Sequence, residues 1–350
     1  ILIILAVFTV VNIFAAIQTV NANTQIFEFD KINETTDTFT FSLDLYEIDE
    51  VIENGVVFQR ISYPGESEFI LPGKPDLPRF TRLIAIPDFG EVTLEIVSTE
   101  EEILNDTKAF PRQPLKKDNS DNVFEFTMDN DFYSGSKSFP SEIIETGIPA
   151  IMRDMRVITV TVNPFQFNPE TNSVRIIKNA EFKITYEGRN GINQKISTRK
   201  KSRVFDSLYS STLLNSDYVS SDRDEDFQNP CILYICPNNG SVESNLQYLA
   251  DWKHEKGFDV VVANTSVTGT SRTQIKNYIQ DAYDTWENPP EYVCFVGDAS
   301  GTISIPAWTE TWSGYSGGGD HPYAQLEGND ILADVHLCRI SVSTVTQLQT

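Results

Sequence analysis

The chain has 350 residues, 40% of them hydrophobic and 11% aromatic, which is enough for packed cores in two or three domains and excludes a disordered polymer. Fifty Asp and Glu residues outnumber 27 Lys and Arg, for a formal net charge of -23. Such a surface repels phosphate backbones, which argues against nucleic-acid binding, and it supplies carboxylates for hard cations such as calcium.

The first residue is Ile1 and the last seven, Thr344 to Thr350, carry no stop signal, so the chain reads as clipped at both ends. Ile1 to Ala16 are almost wholly apolar, and Val20-Asn21-Ala22 suits a signal peptidase. The pattern predicts a signal peptide over residues 1–22 that lacks its basic start. A membrane anchor is the alternative, disfavoured because the run is short for a span. A secreted or outer-surface location is therefore expected.

Residues 23–190 read as β-rich. Alternation appears in TFTFSLDLYEI, VTLEIVS, VFEFTM, RVITVTVNPFQF, SVRIIKN and EFKITYEG, with Pro-Gly, Pro-Asp and Asn-Pro turns between runs. A sandwich or curled sheets are expected. Residues 191–229 lose this rhythm. They hold Arg199, Lys200, Lys201 and Arg203, then an acidic stretch, and read as a linker or a connector strapped across the surface.

From residue 230 to 350 strands alternate with helices. CILYICP, FDVVVANTS, EYVCFVGDA and ILADVHLCRIS read as strands. SVESNLQYLADWKHEKG reads as a helix ending at Gly257, and SRTQIKNYIQDAYDTWE as one capped near Ser271 and stopped by Pro289-Pro290. This order predicts a mostly parallel sheet with helices on both faces. The four cysteines, Cys231, Cys236, Cys294 and Cys338, sit in apolar runs and read as free, buried thiols. Cys231 and Cys236, five apart on one strand, should face opposite sides.

Two groups of residues carry a family resemblance. In the α/β part they are Asp251-Trp252-Lys253 with Gly257, Tyr292 to Asp298, Ile305-Pro306-Ala307, Tyr323 with Gly328-Asn329-Asp330, and Arg339-Ile340-Ser341. In the β-rich part they are Gly73-Lys74-Pro75-Asp76-Leu77-Pro78, Ile84 to Pro87, Met152-Arg153-Asp154-Met155-Arg156 and Asn163 to Pro169. In this order they resemble the first subdomain and the prosegment of the gingipain cysteine peptidases. Cys338 departs from the family, which usually has Gly there.

The resemblance implies a caspase-like fold whose His and nucleophilic Cys lie in a second subdomain, beyond Thr350, so no catalytic residue is assigned within the chain. His254 reads as a solvated helix residue and His336 as a packed strand residue. His321, in a Gly-rich loop, has the most functional setting of the three. From the residues alone, Asp298 follows Val-Gly at the carboxyl end of a parallel strand, where open α/β sheets place their sites. Asp330 and Asp334, four apart, could converge around the carbonyl of Leu332 or could simply cap neighbouring elements. The resemblance implies a structural calcium held by Asp298, Asp330 and Asp334 with the carbonyls of Glu327 and Leu332. It also implies an endopeptidase precursor acting on proteins or peptides and inhibited by its own prosegment. A secretion-system surface-attachment transpeptidase, with that secretion machinery as partner, and a non-catalytic adhesion protein of the same fold are the alternatives.

Overall fold

Most of the alternating runs in the first half of the chain become strand, with one face buried over Thr36–Ser42 and both faces largely exposed over Glu91–Leu104. In the computed structural model, which describes residues 26–114, 125–196, 199–219, 227–312 and 315–349, that half contributes twelve strands. They are β1 (Phe27–Lys31), β2 (Thr36–Ser42), β3 (Glu47–Glu53), β4 (Val56–Ser62), β5 (Ser67–Glu68), β6 (Pro78–Ala85), β7 (Glu91–Leu104), β8 (Ile144–Thr146), β9 (Ala150–Met152), β10 (Met155–Val162), β11 (Phe165–Asn168) and β12 (Ser173–Glu187). A short helix, α1 (Asn130–Tyr133), precedes β8. One sheet runs β1-β2-β12-β11 with β7 also on β12, a second runs β5-β6-β10-β8 with β9 on β10, and β3-β4 form a hairpin. In β2 every second residue is buried. Phe39 of β2 stacks on Phe182 of β12 at 4.8 Å, and Phe41 meets Phe80 edge-on at 5.2 Å.

Some boundaries differ from the sequence reading. The run TFTFSLDLYEI breaks after Ser42, and its tail starts β3. The runs SVRIIKN and EFKITYEG are one 15-residue strand. The described part of VFEFTM is not strand: Phe126 instead packs against Phe58 and Phe110, a contact that favours the ring over ladder pairing. The expected signal peptide lies outside the described residues. Among the described residues, no helix is long and apolar enough to cross a membrane.

By internal packing the chain divides into two compact units that share it in alternating stretches. The first takes residues up to 82, 93–146 and 160–185; the second takes 83–92, 147–159 and 186–350. In the last of these stretches come helices α2 (Arg203–Thr212) and α3 (Ser216–Val219), so part of the expected connector is helical. Four parallel strands follow: β13 (Cys231–Cys236), β14 (Asp259–Asn264), β15 (Tyr292–Val296) and, after the hairpin β16 (Trp308–Trp312) and β17 (Tyr315–Gly319), β18 (His336–Ile340). Their order is β14-β13-β15-β18. β13 is buried at all six positions, as its unbroken apolar run requires of a central parallel strand.

Helix α4 (Gly240–Glu255) starts at Asn239, whose side chain caps two amides. It is followed by Gly257 at φ +88°, the left-handed stop expected there. After a short turn, α5 (Thr265–Thr268), helix α6 (Arg272–Thr285) opens with a Ser271–Gln274 capping box. It ends four residues ahead of Pro289-Pro290. Val242 and Leu246 of α4 pack with Ile232, Tyr234 and Cys236 on one face of the sheet, while Ile275, Ile279 and Tyr283 of α6 pack with Leu233 and Ile235 on the other. Cys231 and Cys236 thus fall on opposite sides by strand parity. A last helical turn, α7 (Val345–Leu348), sits beside α4.

Candidate functional site

A dense set of hydrogen bonds forms where residues 147–159 meet the amino ends of β15 and β18. β9 and β10 pair antiparallel around Arg153-Asp154, with Met152 opposite Met155. Arg153 takes φ +55°, a left-handed conformation that costs a non-glycine residue about 1 kcal/mol. Its side chain is fully buried. The guanidinium donates to the carbonyls of Pro290 (3.0 Å), Asp334 (2.9 Å) and Pro289 (3.3 Å) and to Oε1 of Gln228 (2.9 Å). The rings of Phe205 and Tyr283 flank it at 5.2 and 5.5 Å. Pro289-Pro290, read from sequence only as a helix stop, supplies two carbonyls that no regular element claims.

Two carboxylates receive the outer edge of β9. Asp334, buried, accepts the amide of Arg153 at Oδ1 (2.8 Å) and those of Leu326 (2.7 Å) and Glu327 (2.8 Å) at Oδ2. Burial nevertheless pushes this carboxyl up to about 6, against the three hydrogen bonds. Asp330 accepts the amide of Ile151 at Oδ2 (2.8 Å) and that of Leu332 at Oδ1 (2.9 Å). Alternate amides of a strand point the same way, so carboxylates four residues apart in an irregular loop meet residues 151 and 153 together.

The connector closes the site. Arg199 lies 3.7 Å over the ring of Tyr283 and donates to the Tyr283 carbonyl (2.6 Å) and to Glu327 Oε2 (3.2 Å), which also accepts the Tyr283 hydroxyl (3.0 Å). Ser202 caps α2 and its hydroxyl donates to the buried carboxyl of Glu291. The Tyr209 hydroxyl sits between the Met152 carbonyl, 2.6 Å away, and the carboxylate of Asp154. The basic cluster expected in a linker or a connector strapped across the surface is, at Arg199, nearly buried.

The five residues expected to hold calcium do not converge. Tyr292 pairs with His336 and Val296 with Ile340, so Asp334 lies level with residue 290 while Asp298 lies two residues past the other end of β15. Eight residues of strand separate the two levels, about 26 Å at 3.3 Å each. Asp298 is exposed; its carboxylate accepts the Ala299 amide (2.8 Å) and the Ser341 hydroxyl (3.3 Å). Glu327, Asp330, Leu332 and Asp334 do share a loop, but its carboxylates face amides, Arg199 and Tyr283 rather than a common centre. Calcium needs six to eight converging oxygens, so this arrangement does not fit the ion. Among the described residues, no group of three or more His, Cys, Asp or Glu is placed to hold a metal.

His254 is exposed, with Nδ1 3.3 Å from the Phe258 carbonyl. His321 is exposed, with Nε2 2.7 Å from the Ile331 carbonyl. His336 is half-buried between the rings of Phe205 and Tyr292, and burial lowers its pKa. Burial pushes the thiols of Cys231 and Cys236 up to about 12, which makes them inert. Cys338, expected to be buried, is exposed among the described residues, where β18 pairs with β15. His336 and Cys338 are two residues apart on that strand, about 6.6 Å, beyond the reach of a nucleophile and its base.

A family model for the C25 propeptide (Propeptide_C25) matches residues 18–221, and one for Peptidase family C25 matches 225–350. Gingipain R2 of Porphyromonas gingivalis is 27% identical over 284 residues, covering 79% of this chain and 37% of that protein. Lys-gingipain of the same species is 24% identical over 326 residues, covering 88% of this chain and 18% of that protein. The solved complex of Porphyromonas gingivalis RgpB pro- and mature domains matches 55% of this chain and 98% of its own at 22% identity, with a TM-score of 0.49. The chain therefore spans well under half the length of these curated relatives.

Such a chain is a peptidase precursor region, with a β-rich propeptide running into a parallel α/β fold. It belongs to the gingipain-type C25 peptidase family and comprises the propeptide and the start of the catalytic domain. Ile151, Arg153, Arg199 and Tyr209 accordingly fall in the propeptide match, and Gln228, Pro289, Pro290, Asp330 and Asp334 in the peptidase match. The sequence had singled out Met152 to Arg156 only as a family string, with nothing in it to mark Arg153 as the buried contact.

Proposed function

We propose that this chain is the latency-imposing front of a secreted, gingipain-like cysteine endopeptidase precursor. Its His–Cys pair lies outside these 350 residues, and its substrates are proteins or peptides. The β-rich propeptide acts as an intramolecular inhibitor by holding the peptidase region from its own side. The observation that carries this reading is Arg153: a buried propeptide cation whose four hydrogen bonds all end on peptidase-region acceptors. A contact of that kind forms when the two regions fold together and is costly to open.

The test is made on the whole precursor. Hydrolysis of a fluorogenic peptide or of casein is measured before and after limited proteolysis that removes the propeptide. Activity that rises on removal, and that rises sooner in an Arg153→Ala precursor, supports the proposal. Equal activity before and after removal overturns it.

A further inference from the structure

The acceptors around the Arg153 guanidinium are held in place by contacts that do not involve Arg153. The carbonyls of Pro289 and Pro290 stand on consecutive prolines, whose rings fix φ. Gln228 Oε1 is aimed by its own amide nitrogen, which donates to the Pro289 carbonyl (2.9 Å). The Asp334 amide donates to the Ala324 carbonyl (2.9 Å), which fixes the backbone that carries the remaining acceptor. The two carboxylates are fixed in the same way. Asp334 Oδ2 accepts the amides of Leu326 and Glu327, and Asp330 Oδ1 that of Leu332. Asp334 Oδ1 and Asp330 Oδ2 are thereby turned to the amides of Arg153 and Ile151. Gly328, at φ +76°, lies under Ile151, and any side chain there would run into the carboxylate of Asp330. All of these supports lie within the peptidase match.

We propose that, once the propeptide has left, this preformed cradle binds an arginine of another polypeptide, presented in an extended segment as Arg153 is presented now. The inference rests on the reading above that the propeptide departs. In the precursor the cradle is filled by Arg153 itself, so removal of the propeptide is what opens it. The same step takes away Arg153 and Arg199, the two guanidinium groups that face Asp330, Asp334 and Glu327. Three carboxylates thus lose both cations at once, and a cationic ligand restores the balance.

Two features of the cradle select the ligand. Its side-chain acceptors are three carbonyls and an amide oxygen, spread around a planar group with the ring of Tyr283 5.5 Å away. A guanidinium fork reaches them together, whereas a lysine ammonium is a point charge that does not span them. Its carboxylates take the amides of the arginine and of the residue two positions before it. Those amides share one side only in an extended chain, so the cradle reads backbone conformation along with the side chain.

The experiment uses the whole precursor, freed of its propeptide by limited proteolysis and treated with iodoacetamide so that a peptide probe stays intact. The probe is a fluorescein-labelled peptide of residues 147–159, and binding is read by anisotropy. Saturable binding is expected. It should weaken at least about tenfold when the peptide carries Arg153→Lys, and by a similar factor when the Ile151 amide nitrogen is methylated. A peptidase with Asp330→Ala and Gln228→Leu should bind the unmodified peptide at least about tenfold more weakly. Absence of saturable binding overturns the site, and equal binding of the Arg153→Lys peptide overturns recognition of the guanidinium. Unchanged binding of the methylated peptide overturns the extended register. Full binding by the doubly substituted peptidase overturns the location. The two altered peptides leave the protein untouched, so they decide the matter even where the protein variant does not fold. Binding is read without turnover, so its failure is separate from that of the latency reading, which fails on equal activity before and after propeptide removal.

Discussion

Replacing Arg153 by Ala deletes a buried cation and leaves three peptidase-region carbonyls and Gln228 Oε1 without their donor. Four bonds at a net contribution of roughly 1 kcal/mol each sum to about 4 kcal/mol, the expected loss. Arg153→Gly loses the same bonds but relieves the left-handed backbone at φ +55°, and should be about 1 kcal/mol less damaging than Ala. Amide hydrogen exchange over residues 147–159 reads the effect directly, because the Ile151 and Arg153 amides are held by Asp330 and Asp334. At about 1.4 kcal/mol per decade, Ala should reduce their protection by nearly three decades and Gly by about two. Protection in the Ala variant within threefold of wild type would refute the claim that this side chain holds the segment. A Gly variant less protected than Ala would refute the backbone argument.

Three further outcomes can be checked. Glu291 is buried, burial is the main cause raising its carboxyl pKa, and its Oε2 has no hydrogen-bond partner among the described residues. A raised folded-state value means its contribution to stability is complete at low pH and is lost as pH rises through that value. Glu291→Gln should therefore match wild type in urea at pH 4 and show a higher midpoint at pH 8; a lower midpoint at pH 8 would contradict the sign. Arg199 is held under Tyr283 at 11% side-chain exposure, so tryptic cleavage after it should be slow and become at least tenfold faster in Tyr283→Ala, read by mass mapping. With Asp298 far from Asp334, excess calcium and chelator should give unfolding midpoints within about 1 °C through these residues; a larger shift abolished by Asp298→Asn with Asp330→Asn would restore a shared cage.

The α/β half was legible because its signals are local. Short continuous apolar runs between helical patterns read as parallel strands, and Asn239, Gly257 and Ser271 mark helix ends whatever surrounds them. The anchor was not legible, because its partners are remote. Asp334 meets an amide 181 positions earlier in the chain, and a carboxylate that faces amides has the same sequence as one that faces a cation. Arg199 read only as one of four basic residues in a linker or strapped connector, because nothing nearby announces the ring of Tyr283. Strand parity places Cys338 on the same face as His336 and Ile340, but which strands neighbour it is a property of topology, which a linear pattern does not carry.

The second unit takes its chain from three separate stretches, 83–92, 147–159 and 186–350. One cut between residues 186 and 229 alters connectivity alone. The two shorter stretches, tied to each other through residues 93–146, stay seated by hydrogen bonds and apolar packing, as the halves of a split protein do. Separation after such a cut is governed by an off-rate rather than by hydrolysis, and the nicked form is a species with its own lifetime. Conditions that shorten that lifetime, such as dilution, a second cut within the departing piece or loss of the Arg153 bonds, set the pace at which a severed propeptide leaves.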